Sequence, residues 1–286
     1  MEGFNRDAIV TVFCQGNQQG RSQAAKYAGP LGLHVKVGED KYDHVRLPTS
    51  PELLHNLYVW DELADIGYGF TYNPLHWLLK AKQYATLWYY GIEGSSVPHN
   101  YWTELNVAGD EDVAQYVSAV RHCVEDHPTK KLVLFGTSRG ASTVLIALSY
   151  LTEEERRHVG LAIVEGPFDS VESVLTASYG PTIAGNFLYA LPLLTKYRAA
   201  QLSPLMAVSS EDFPLDIPLA FILSQVDTTV PPQCTRALVE RLEARHHTAL
   251  HTLELERSHH SMMSLQDEED RARYERFVNG LYARYI

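Results

Sequence analysis

Residues 131–148 read KLVLFGTSRGASTVLIAL, and this stretch decides the fold. The apolar run from Leu132 to Phe135 leads directly into Gly136-Thr137-Ser138-Arg139-Gly140. A short continuous apolar run that ends on glycine predicts a buried strand of a parallel sheet. The periodic Val144, Leu145, Leu148 and Leu151 predict a helix that opens near Ala141. The five residues between match G-x-S-x-G, a strained strand-to-helix turn that exposes a serine hydroxyl at the strand's carboxyl end. Its two glycines let neighbouring backbone approach closely. Five residues are a short pattern, and the seat between strand and helix is what makes Ser138 a candidate nucleophile.

Further apolar runs occur at 8–14, 85–90, 161–164, 219–224 and 248–255. Between them lie helical patterns, with Val113, Tyr116, Val117, Val120 and Val124 on one face and Asp110, Glu111 and Asp112 at the start, where acids suit the helix dipole. Tyr274, Phe277, Val278, Leu281 and Tyr282 repeat that spacing near the carboxyl terminus. Alternating strands and helices predict an α/β fold, a mostly parallel sheet flanked by helices, in one domain over 1–286. Two stretches, 38–82 and 172–214, exceed ordinary connections and read as insertions. The first is aromatic, with Tyr58, Trp60, Tyr68, Phe70, Tyr72 and Trp77; the second holds Pro181, Pro192 and Pro204.

A chain of 286 residues with 45 % apolar and 21 % charged residues can bury a full core, which excludes a disordered protein. Its formal charge of −11 excludes a non-specific nucleic-acid binder, which needs basic patches to displace phosphate counterions. Cys14, Cys123 and Cys234 are too few and too scattered for a disulfide framework or a zinc site, and fit a reducing compartment. His246, His247 and His251 have no acid or cysteine at ligand spacing, so they read as surface residues and no metal or other cofactor is expected. The amino terminus shows no signal-peptide pattern, and no run of about eighteen apolar residues occurs, so a cytoplasmic protein without membrane insertion is expected.

A serine needs a histidine to take its proton, and the histidine needs a carboxylate to fix its tautomer. After a G-x-S-x-G turn the chain order is serine, acid, histidine. Asp227 follows the apolar run 219–224 and precedes Pro231-Pro232, which puts it just past a strand's carboxyl end. Asp216 lies before that strand, at the wrong end, and Asp169, after the strand at 161–164, is the alternative acid. The base comes from the loop after the last strand, where His259 and His260 are adjacent candidates that spacing does not separate. Acyl transfer also needs two backbone N–H donors for the oxyanion, the first of which belongs to Arg139, next to the nucleophile.

Several segments carry a resemblance. Val12-Phe13-Cys14-Gln15-Gly16-Asn17 resembles F-x-H-G-N, Tyr89-Tyr90-Gly91-Ile92-Glu93-Gly94-Ser95 resembles Y-x-G-x-G-x-S, and Glu165-Gly166-Pro167-Phe168-Asp169-Ser170 resembles E-S-P-F-T-S. With the Ser138 turn and the Asp227 and His260 loops, the chain resembles the α/β-hydrolase superfamily of serine esterases, lipases and peptidases, nearest to its small intracellular BEM46-like members. That resemblance implies Asn17 N–H as the second oxyanion donor and a lid or cap at 172–214. It also implies His260 as the base, since the loop from Glu256 resembles the E-G-x-x-H ending, and leaves His259 to pack beside it. Two departures stand out: Gln15 replaces the usual histidine, and the opening antiparallel hairpin is not apparent. The Arg139 side chain is expected to pair with an acid such as Glu165 rather than reach an anionic substrate.

The expected activity is hydrolysis of a small-molecule ester or thioester through an acyl-enzyme on Ser138. Two alternatives stay open. A serine peptidase would use the same three residues, with Asp61, Glu62 and Asp65 available to hold an amine. A catalytically silent binding protein would keep the fold alone.

Overall fold

The computed structural model describes residues 9–14, 45–46, 108–194, 201–260 and 262–286. Its strands are β1 (Ile9–Cys14), β2 (Val45–Arg46), β3 (Lys131–Thr137), β4 (Val159–Glu165), β5 (Leu219–Ser224) and β6 (Leu250–Leu255). They form one sheet in the order β2-β1-β3-β4-β5-β6, and every pairing among the described residues is parallel. Parallel neighbours cannot be joined by tight turns, so helices cross between strands, namely α1 (Asp110–Asp126), α2 (Arg139–Leu148), α3 (Glu153–His158), α4 (Val171–Tyr179), α5 (Pro181–Leu194), α6 (Pro204–Ser209) and α7 (Pro232–Ala244), and α8 (Glu268–Tyr285) follows the last strand.

The helices cover both faces, which is why the central strands are continuously apolar rather than alternating. Leu132, Leu134, Ala162, Val164, Leu219 and Phe221 share one core with Val117, Val120, Val144, Leu145 and Leu238 of α1, α2 and α7. Val133, Phe135, Leu161, Ile163, Ala220 and Ile222 face the opposite way, into a second core with Tyr274, Val278, Leu281 and Tyr282 of α8. The period of two along each strand thus sorts neighbouring residues between two layers.

Register brings the functional loops to one edge. Cys14 lies opposite Gly136, Thr137 opposite Glu165 and Ser224 opposite Leu255, so the loops after β1, β3, β4, β5 and β6 all leave from the carboxyl ends. In an open parallel sheet this is the edge where ligands bind.

Boundaries differ from the sequence reading where hydrogen bonding extends an element. β4 covers 159–165 rather than 161–164, and α2 opens at Arg139 because Ser142 N–H already bonds the Ser138 carbonyl at 3.1 Å. β6 starts at Leu250, since Thr248 N–H is held by the Leu215 carbonyl outside the sheet. The strand expected at 85–90 lies outside the described residues; beside β1 the sheet carries β2, from within the stretch read as the first insertion. The stretch read as the second contains α4, α5 and α6, with Ser170 and Ser203 capping α4 and α6 through Ser173 N–H and Met206 N–H. Among the described residues no helix is long and apolar enough to cross a membrane.

Candidate active site

Ser138 stands between β3 and α2 with φ 52° and ψ −121°, a conformation that side-chain-bearing residues rarely adopt. Its N–H is held by the Glu165 carbonyl at 2.7 Å, which ties the turn to the neighbouring strand. Glycine at 136 is required by space: a Cβ there would come within 2.5 Å of the Gly140 carbonyl oxygen and 2.7 Å of Ala141 Cα. Gly136 therefore lets the start of α2 approach the end of β3.

Asp227 lies past the end of β5 and is 5 % exposed. Its Oδ1 accepts from the N–H groups of Thr229 at 2.8 Å and Val230 at 2.9 Å, which fixes the carboxylate plane and leaves Oδ2 toward the site. Oδ2 lies 2.6 Å from His260 Nδ1, and His260 Nε2 lies 2.7 Å from Ser138 Oγ. A carboxylate can only accept, so Nδ1 carries the proton and Nε2 is left to accept from the serine hydroxyl. Serine, imidazole and carboxylate thus form one continuous hydrogen-bonded line.

The other candidates are engaged elsewhere. His259 is exposed, and its main chain exchanges bonds with Gln266, N–H to Oε1 at 2.7 Å and Nε2 to its carbonyl at 3.3 Å. Asp169 is buried, accepts from Ser170 N–H at 2.8 Å and takes the thiol of Cys234. Asp216 is exposed ahead of β5. Arg139 opens α2, where helix N–H groups point out of the helix end. Asn17, the Gln15 and Gly16 positions, 89–95 and the acids at 61, 62 and 65 lie outside the described residues.

Arg139 pairs with an acid, as expected, but that acid is Asp112 rather than Glu165. Arg139 Nη1 lies 3.6 Å from Asp112 Oδ2, at the start of α1. Strand alternation explains it: Glu165 follows Leu161 and Ile163 onto the α8 face, whereas Arg139 belongs to the α1 and α2 face. Glu165 accepts instead from Tyr274 Oη–H at 3.0 Å and from Met263 N–H at 3.3 Å.

No signal in the sequence singles out Glu165 in this role, nor Asp270, which accepts from the N–H groups of Glu256, Arg257 and Ser258 at 3.2, 2.9 and 2.7 Å. In a helix opening Asp267-Glu268-Glu269-Asp270, a buried acid and its exposed neighbours look alike.

Two thiols sit close to these groups and stay protonated. Burial, reinforced by the charge of Asp169, pushes the Cys234 thiol up to about 12, and burial with Asp112 does the same for Cys14. Neither supplies a thiolate at neutral pH. Away from the site, His251 Nε2 is 2.7 Å from Tyr285 Oη, and burial lowers the pKa of both His251 and His247. Among the described residues no group of three or more His, Cys, Asp or Glu could hold a metal ion.

No protein-family model matches the chain, and no curated protein matches it. Among solved structures, it is similar to the Pyrococcus furiosus esterase Pf2001, with TM-score 0.52 and 14 % identity over 97 % of this chain and 83 % of that one. Weaker likenesses include a puromycin hydrolase, at TM-score 0.44, 15 % identity, 61 % of this chain and 25 % of that one. Another is the Pyrococcus horikoshii acylaminoacyl peptidase, at TM-score 0.46, 18 % identity, 59 % of this chain and 27 % of that one. The chain spans about a quarter of the length of these two. The likeness to the esterase and the sheet order together give the fold: it is the α/β-hydrolase fold.

Proposed function

We propose that this α/β-hydrolase-fold protein is a serine hydrolase that cleaves a carboxylic ester or thioester through an acyl-enzyme on Ser138. The observation that carries the reading is the line from Asp227 Oδ2 to His260 Nδ1 at 2.6 Å and from His260 Nε2 to Ser138 Oγ at 2.7 Å. Ser138 Oγ attacks the acyl carbonyl as His260 Nε2 takes its proton, and the Asp227 carboxylate stabilises the imidazolium that forms. The N–H groups of Arg139 and Asn17 are assigned to hold the oxyanion. His260 then protonates the leaving alcohol or thiol. Water, deprotonated by the same nitrogen, releases the acid and restores the serine.

The remaining assignments belong to the same proposal. The chain acts as one domain without a cofactor, on a small acyl substrate in the cytoplasm, with the 172–214 segment as its lid. Kinship with the BEM46-like hydrolases rests on the motifs at 15–17, 89–95 and 165–170, the Ser138 turn, and the Asp227 and His260 loops.

A fluorophosphonate probe tests the reading. Wild-type protein is expected to be labelled and Ser138→Ala not, with hydrolysis of p-nitrophenyl esters reduced at least about 10⁴-fold in the variant. Wild-type protein that resists the probe at several pH values is a silent binder and sinks the proposal. Faster cleavage of aminoacyl amides than of any ester in the same panel would replace the esterase by a peptidase.

A further inference from the structure

Between β6 and α8 the described residues 256–260 and 262–265 carry His260, and among them the 3-10 turn Met263–Leu265 is the only regular structure. A loop of that length holds an imidazole in place only when its own backbone is tied down. Two buried carboxylates tie it, one on each side of the histidine.

Asp270, 1 % exposed in the first turn of α8, takes the three N–H groups of Glu256, Arg257 and Ser258 at 2.7–3.2 Å. Glu165, 1 % exposed at the end of β4, takes Met263 N–H through Oε1 at 3.3 Å and the Tyr274 hydroxyl through Oε2 at 3.0 Å. Asp270 and Tyr274 are four residues apart on α8 and so share one face.

Glu165 also meets the nucleophile, because its carbonyl accepts from Ser138 N–H at 2.7 Å. The next residue, Gly166, at φ 58°, backs the imidazole: a Cβ there would stand 3.2 Å from His260 Cε1 and 3.4 Å from Nδ1. One dipeptide therefore touches the serine turn, the histidine ring and the loop that carries it.

We infer that Glu165 is a positioning residue for the base, with Asp270 supporting the other end of the loop. The side chain of Glu165 fixes the Met263 end and its main chain fixes Ser138, so that one residue holds both sides of the 2.7 Å gap between Ser138 Oγ and His260 Nε2. A carboxylate suits this place because it accepts several donors at once and binds each more strongly than a neutral acceptor does. The same property offsets the desolvation that burying it costs.

The catalytic part of this inference rests on the serine-hydrolase reading, so the experiment has two arms. Full-length Glu165→Leu, Glu165→Gln and Tyr274→Phe are compared with wild type. The first arm measures kcat per fluorophosphonate-titrated site, and KM. The second follows the downfield proton resonance of His260 Nδ1–H, identified by its loss in His260→Ala.

Glu165→Leu is expected to lower kcat per titrated site at least about tenfold, with KM within about twofold, and to broaden the resonance by exposing the ring to exchange. Glu165→Gln, which keeps an acceptor for Met263 N–H, is expected to restore kcat to within about threefold of wild type. A residue that only stabilised the fold would change the melting temperature and leave kcat per site and the resonance untouched. That result overturns the inference. If Glu165→Leu does not fold, Tyr274→Phe decides alone, with a two- to fivefold loss and a broadened signal supporting the inference and no change in either overturning it. Wild-type protein that takes no probe sinks the hydrolase reading, and the resonance in the variants still decides whether Glu165 positions the ring.

Discussion

Around Ser138 the main chain holds itself: glycine at 136 admits the Gly140 carbonyl, the serine takes a left-handed φ of 52°, and its N–H is caught by the carbonyl of the next strand. Around His260 the backbone is held by side chains, with Asp270 gripping residues 256–258 and Glu165 gripping Met263. A turn fixed by backbone contacts tolerates little change in residue type at its glycines. A loop fixed by carboxylates depends on distant residues and, at Asp270, on the acid staying ionised. The two halves of the site are therefore expected to fail differently.

The largest effect is expected at Gly136→Ala. The atoms that a Cβ would strike are backbone, at 2.5 and 2.7 Å, so α2 must move away from β3. Urea unfolding is expected to show a loss on the order of 3 kcal/mol or more, with activity gone. A loss below about 0.5 kcal/mol would break the account of the serine side.

Gly166→Ala probes the boundary between the halves. The residue its Cβ would press at 3.2 Å is the His260 ring, and its φ of 58° adds about 1 kcal/mol of strain for any residue with a Cβ. Ester turnover is expected to fall by tens of fold, well beyond what a stability change of that size accounts for; turnover within twofold of wild type would mean that the ring has room to retreat.

Acid should act on the histidine side. Burial alone would raise the pKa of Asp270, but the N–H groups of Arg257, Ser258 and Glu256 outweigh it and hold the carboxyl below its usual value. A carboxylate with a lowered folded pKa contributes stability that is present above the unfolded value near 3.8 and is lost as pH falls through the folded one. His247 and His251, lowered by burial, act earlier: the unfolded chain takes up their protons first, so stability declines as pH drops through about 6.5. Stability against pH should then fall in two stages, and Asp270→Asn, expected to lose about 2 kcal/mol at pH 7, should shrink the lower one, to which Glu155 also contributes. An unchanged lower stage would show that another acid governs it.

The smallest effect is expected at His259→Ala, because that imidazole is exposed and, among the described residues, it is the main chain of His259 that is engaged, with Gln266. Ester turnover should stay within twofold and stability within about 0.5 kcal/mol. A large loss of turnover would move the base by one position.

These contrasts also explain what could be read from the sequence. The central strands were legible because burial on both faces makes them continuously apolar, and the serine turn because its backbone constraint demands glycine, a residue visible in the text of the chain. His259 and His260 were not separable by pattern, since adjacent loop residues differ only in how the loop is folded. That Arg139 pairs with an acid was legible, but which acid was not, because strand alternation sends Glu165 to the opposite face and leaves Asp112. Asp270 was illegible for a related reason: helix rotation alone distinguishes it from the exposed Glu268 and Glu269. β2, two residues long, offers no periodicity to detect.

The order of these parts along the chain sets a timetable. His260 lies 122 residues beyond Ser138 and 33 beyond Asp227, and the helix that anchors its loop comes later still. On a ribosome the serine turn can form as soon as β3 and β4 meet, yet its hydroxyl remains an ordinary alcohol until β6 and α8 dock. Under the proposed mechanism, vectorial synthesis keeps the serine apart from its base until the carboxyl-terminal segment has been translated.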